Sequence, residues 1–115
     1  HAGFMVPGPV QAAGVAALGS QDHVEVQRGR YLRRLEETAQ LLAVAGVPVA
    51  LPDGAFYLWV PAPSGDAWEL ARQLASTLGV VGSPGEFYGP AAAGHLRLAM
   101  VQPDREQELL RERAG

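Results

Sequence analysis

Apolar positions recur along the chain in two rhythms, and the change of rhythm divides it into elements. Residues 1–9 (HAGFMVPGP) are punctuated by Gly and Pro and read as an irregular opening segment. From Val10 to Leu18 (VQAAGVAAL) the residues are apolar or small on nearly every side. That run suits a helix, with Gly14 its weak point and Gly19 its stop. A three-and-four spacing then takes over. Tyr31, Leu35, Thr38, Leu42 and Ala45 share one helical face, while Arg28, Arg30, Arg33, Arg34, Glu36 and Glu37 supply the wet side. Asp22 and Glu25 stand at capping-box spacing, with Ser20 as an alternative cap, and Gly46 ends the helix.

The rhythm next shortens to alternation. Val47–Leu51 and the aromatic, β-branched Ala55–Pro61 predict two strands joined by the turn Pro52-Asp53-Gly54, a hairpin in which Pro fixes φ and Gly permits positive φ. Pro48 pushes the first strand to an edge. Asp66 and Glu69 repeat the capping spacing before a helix whose Trp68, Ala71, Leu74, Ala75 and Leu78 form an apolar stripe, closed by Gly79. Val80–Ser83 is a short strand, Pro84–Gly94 (PGEFYGPAAAG) a loop, and His95–Val101 (HLRLAMV) a strand. Pro103 opens a last, charged helix, with Asp104 and Gln107 again at capping spacing. The order α-α-β-β-α-β-β-α predicts an α+β fold: a two-layer domain with helices packed on a small, mostly antiparallel sheet.

Composition narrows the function classes. The chain has 115 residues and a net charge of −3, which argues against a nucleic-acid-binding face. No apolar run approaches the ~18 residues a membrane span needs. Cysteine is absent, so there is no disulfide framework, thiolate metal site or thiol nucleophile. All nine basic residues are arginine, so lysine is absent as well. Charged residues make up 18% against a typical ~25%. That low charge suggests an apolar face around residues 1–18 that a partner covers. A histidine at position 1, where a methionine would stand, suggests a piece of a longer chain.

Candidate chemistry centres on one strand. In His95–Val101 the Leu96, Leu98 and Met100 face belongs to a core, so Arg97 points off the other side, directly after the Gly-rich loop. An arginine flanked by apolar residues needs a partner. One reading is a structural ion pair with one of the twelve acids; the other is a carboxylate-binding arginine, whose guanidinium forks a carboxylate with two parallel bonds. The loop 84–94 is neither a P-loop nor a dinucleotide fingerprint. Taken alone it reads as a surface loop, with Phe87 and Tyr88 pointing to a rim or lid. His1, His23 and His95 lack metal-ligand spacing, and Glu36-Glu37 lies on a solvated helix face. Tyr57 and Trp59 alternate with Phe56 and Leu58, so one pair is core and the other is not. No catalytic constellation and no metal site is complete.

Three blocks together are more specific. Gly54-Ala55-Phe56-Tyr57-Leu58-Trp59, then Pro84-Gly85-Glu86-Phe87-Tyr88-Gly89, then His95-Leu96-Arg97-Leu98-Ala99 resemble the carboxyl-terminal part of fold-type I pyridoxal-phosphate aminotransferases. Met5–Ala13 with Ala16-Ala17-Leu18 resembles the stretch just before the small domain. The similarity covers nearly the whole chain and is greatest to the succinyldiaminopimelate aminotransferase group. It implies a division into residues 1–20, the end of the large-domain and linker region, and residues 21–115, the small domain. It implies that Arg97 grips the substrate α-carboxylate and that Phe87, Tyr88 and Gly89 lie near the substrate entrance. Gly3 to Pro7 then match a segment that approaches the neighbouring subunit in a homodimer. The cofactor of such enzymes, pyridoxal 5'-phosphate, is held as a Schiff base on a lysine. With no lysine, this chain is expected to bind no cofactor and to be inactive alone, a piece of a cytoplasmic enzyme acting on an amino acid and a 2-oxo acid. Its missing amino-terminal large domain would supply the chemistry. The residues themselves leave a second class open: a free-standing α+β module that binds an amino acid through Arg97 and the loop, or a dimerisation domain whose arginine is structural.

Overall fold

A computed structural model describes residues 5–115. His1, Ala2, Gly3 and Phe4 lie outside the described residues, and with them part of the expected Gly3–Pro7 segment. The chain forms two compact units, one ending at Arg30 and the other spanning Tyr31–Gly115.

The first unit holds helix α1 (Gly8–Leu18) and the start of helix α2 (Asp22–Val44). Gln11 is the one polar side chain of α1, and none of the helix is buried: Val10, Val15 and Leu18 are exposed. A helix apolar on every side normally sits inside a protein. The expected capping box at Asp22 does not form. Asp22 is already inside the first turn, and the Gln21 carbonyl accepts from the Val24 and Glu25 amides. The two acids still face the positive end of the helix dipole.

In the second unit α2 presents Leu35, Thr38 and Leu42 to the core, as the periodicity predicts, with Tyr31 half-buried and Ala45 exposed. Arg34 departs from its expected wet face. Its side chain is 13% exposed, and Nη2 lies 2.8 Å from Asp104 Oδ1. The helix closes in a Schellman motif: Val47 N–H donates to Leu42 C=O at 2.8 Å and Gly46 N–H to Ala43 C=O at 3.0 Å. Gly46 takes φ +81° there, and Val47 joins Leu42 in the core as the accompanying apolar contact.

The expected hairpin is absent. Residues 47–56 form no strand, because Pro48 and Pro52 remove two ladder donors and Val47 is committed to the helix cap. The positive φ of the following turn falls on Ala55 (65°), not on Gly54. Strand β1 (Tyr57–Pro61) pairs instead with distant β3 (His95–Ala99), antiparallel, with Leu58 opposite Leu98 and Trp59 opposite Arg97. The two-residue β2 (Ser83–Pro84) covers the other edge of β3, so the order is β1-β3-β2.

Helix α3 (Ala67–Thr77) starts as predicted. Asp66 Oδ1 accepts from the Trp68 and Glu69 amides at 2.8 and 3.1 Å. Its buried stripe is Ala67, Leu70 and Leu74, continued by Leu78, whereas Trp68 and Ala75 are exposed. The phase differs from the expected stripe because the cap fixes the first turn with Ala67 inward. Helix α4 (Asp104–Ala114) follows Pro103 with no side-chain cap. Gln107 is buried and donates to Thr38 Oγ1 at 3.3 Å, so it is a core hydrogen bond and not a capping residue. Leu58, Val60, Leu96 and Leu98 from the sheet join Leu35, Leu42, Leu70, Leu74 and Leu110 from the helices in one core. The result is a two-layer α+β unit with a small antiparallel sheet.

Candidate functional site

Alternation along β3 sends Leu96 and Leu98 into the core and leaves His95, Arg97 and Ala99 on the other face, half-buried. Because β3 is the central strand, Arg97 has a neighbour on each side, Trp59 on β1 and Ser83 on β2. Tyr57 and Trp59 therefore stand on the face of Arg97, and of the two alternating aromatic pairs it is theirs that lies off the core.

The Gly-rich loop is more ordered than its composition suggests. It folds into two 3-10 turns, Gly85–Tyr88 and Pro90–Ala92. A Cβ on Gly85 would overlap the Ala92 carbonyl oxygen, so glycine is what lets the turns close on each other. Trp68 anchors the first turn from outside: its indole N–H donates to Glu86 Oε1 at 2.6 Å, and its ring meets Phe87 edge-on at 5.7 Å.

The sequence-predicted site residues therefore separate. Tyr88 is brought to Arg97, with the guanidinium carbon 4.5 Å from its ring centroid. Phe87 turns away toward Trp68 and is 63% exposed. Gly89 adjoins Tyr88 and links the two turns, with φ +124°. Arg97 also lies 4.5 Å from the Tyr57 centroid. Trp59 meets Tyr88 edge-on at 6.1 Å and stacks on His95 at 5.4 Å and 14°. Alternation already puts His95 on the face of Arg97, but sequence reasoning did not bring Tyr57 and Trp59 there. The signal existed in the alternation, but the pairing of β1 with β3 was needed to use it.

None of the twelve acids pairs with Arg97, and among the described residues its guanidinium makes no hydrogen bond. Arg34 and Arg111, by contrast, each hold a carboxylate, on Asp104 and Glu37. Arg97 thus keeps its N–H groups available beside a rim of exposed aromatics, the arrangement a carboxylate ligand needs. A separate cavity of about 270 Å³ lies between α4 and the α3–β2 connection, lined by Leu78, Gly79, Met100, Gln107 and Arg113 among others. Arg97 and the loop residues 87–89 are not part of it. Among the described residues no three His, Cys, Asp or Glu side chains gather as a metal site, and no helix is long and apolar enough to cross a membrane.

The family model for aminotransferase class I and II matches residues 1–112. The chain belongs to the class I and II aminotransferases. A 4-dedimethylamino-4-oxo-anhydrotetracycline transaminase of Streptomyces rimosus is 43% identical over 105 residues, covering 90% of this chain and 28% of the relative. An LL-diaminopimelate aminotransferase of Dehalococcoides mccartyi is 34% identical over 105 residues, covering 90% of this chain and 27% of the relative. The structure of BacF from Bacillus subtilis superposes with a TM-score of 0.76 at 31% identity, covering 96% of this chain and 28% of that one. The chain spans about a quarter of the length of the curated relatives it matches. Aminotransferases of this family generally use pyridoxal phosphate. The 115 residues contain no lysine, so this stretch does not fit the covalent anchoring of that cofactor.

Proposed function

We propose that the chain is the carboxyl-terminal small domain of a pyridoxal-phosphate-dependent aminotransferase, and that Arg97 binds the α-carboxylate of its amino-acid and 2-oxo-acid substrates. The observation that carries the reading is Arg97 itself, on the central strand with its N–H groups unclaimed by any of the twelve acids. A guanidinium in that position offers two parallel charge-assisted bonds to a carboxylate. Tyr88 borders it, Gly89 follows Tyr88 in the loop, and Phe87 turns away toward Trp68. The cofactor supplies electron-sink chemistry when bound, and its lysine belongs to the part of the enzyme outside this chain.

The small domain of this reading runs over residues 21–115, with 1–20 leading in from the large domain. The exposed α1, apolar but for Gln11, supports that division, because such a helix needs a cover that a self-sufficient amino-acid-binding module would provide for itself. A homodimer and a cytoplasmic setting go with the same proposal. The two relatives' names point to different substrates, a 4-oxo-anhydrotetracycline and a diaminopimelate, so the side-chain pocket is assigned to the upstream part. Within this reading a diaminopimelate derivative, such as the N-succinyl form with 2-oxoglutarate, is the first substrate to try.

The test is the full-length protein that contains this chain. It should carry a visible absorbance band that borohydride bleaches, and should move an amino group from an amino acid to a 2-oxo acid. The 115-residue chain alone should do neither. A colourless full-length protein without transamination would overturn the proposal.

A further inference from the structure

A carboxylate-binding arginine must be held in one orientation before its ligand arrives. An acidic neighbour would do this but would compete for the same N–H groups. Arg97 has no such neighbour among the described residues. Two aromatic faces stand there instead. Tyr57 from β1 and Tyr88 from the 3-10 turn each place a ring centroid 4.5 Å from the guanidinium carbon. Both rings have further aromatic neighbours. Phe56 lies 4.5 Å from Tyr57 and 5.1 Å from Tyr31, while Trp59 meets Tyr88 at 6.1 Å and stacks on His95. The negative face of a tyrosine ring attracts a guanidinium. This attraction is made to the ring faces and needs no oxygen acceptor, so it leaves the five guanidinium N–H groups for other partners. Those groups can make two parallel bonds to a carboxylate, and an arginine held by two rings before binding has a lower ordering cost.

We propose that Tyr57 and Tyr88 are positioning residues, an aromatic clamp that presents the edge of Arg97 to a carboxylate. The proposal rests on the reading of Arg97 as the carboxylate-binding group. It assigns work to Tyr57, which the sequence reading gave no role, and gives Tyr88 a role through Arg97 beyond its place at the rim.

The experiment uses the full-length holoenzyme and, as probe, whichever amino donor the wild type turns over fastest among the standard amino acids and LL-diaminopimelate. Tyr57→Leu and Tyr88→Leu should each raise KM about three- to tenfold, with a smaller change in kcat. Tyr57→Phe and Tyr88→Phe keep the ring face and should hold KM within about twofold of wild type. Tyr88 is 48% exposed, so its variants carry the test even if Tyr57→Leu fails to fold. Arg97→Leu, measured alongside, separates the two claims. If it raises KM while both tyrosine-to-leucine variants do not, the clamp is wrong and the carboxylate role stands. If Arg97→Leu leaves KM unchanged, or the wild type turns over no donor, both fall. Phenylalanine variants as impaired as the leucine ones would assign the effect to the hydroxyls and overturn the clamp.

Discussion

Arg97 and Gly85 show how much hangs on single side chains here, one by what it leaves unpaired and the other by what it lacks. The Gly85 turn closes because no Cβ stands against the Ala92 carbonyl. Gly85→Ala should therefore cost about 1–3 kcal/mol in a urea titration, as overpacking does. Gly54→Ala, at a position with open space and no positive φ, should change stability by no more than about 0.5 kcal/mol. The candidate site was partly legible at this scale. Arg97 follows from alternation alone, because Leu96 and Leu98 must be buried. Its aromatic neighbours do not, because which of the 56–59 aromatics leave the core depends on a partner strand nearly forty residues away. Phe87 was grouped with Tyr88 from adjacency, yet consecutive residues of a tight turn point in different directions, and Trp68 takes Phe87 for itself.

Among the elements, the helices were more legible than the strands. Local rules decide a helix: Asp66 caps α3 and the Schellman pair of Gly46 and Val47 ends α2, and both signals lie within a few residues of where they act. Asp66→Ala removes two amide acceptor bonds and should cost about 1 kcal/mol, with α3 amides showing the largest loss of hydrogen-exchange protection. Equal loss across all helices would contradict a local cap. The predicted hairpin failed for the complementary reason. Turn chemistry at 52–54 promised a local pairing, but strand pairing is decided by donors and register across the fold, and Pro48, with the Val47 amide spent on the helix cap, left the 47–51 segment too few donors to compete. The spacing at Asp104 and Gln107 misled in a similar way. Both side chains have tertiary partners on α2, which local spacing does not encode.

Across the molecule, one apolar core joins three helices to one face of the sheet, and the opposite face carries the candidate site. Stability should follow the core and not the surface charges. Leu96→Ala, at a fully buried central-strand position, should cost about 2–5 kcal/mol. Glu37→Gln, which breaks a half-exposed pair with Arg111, should cost under about 1 kcal/mol. Similar losses for the two would mean that the core assignment is wrong. The same layering leaves Arg97 on the sheet's outer face without an internal acid, where the proposed carboxylate would reach it from outside. The most direct test compares an amino acid with its decarboxylated amine as donors for the full-length enzyme, before and after Arg97→Leu. If Arg97 grips the carboxylate, the variant loses roughly 10- to 150-fold in kcat/KM for the amino acid, the worth of a charge-assisted bond, and little or nothing for the amine. Equal losses for both donors, or none for either, would contradict it.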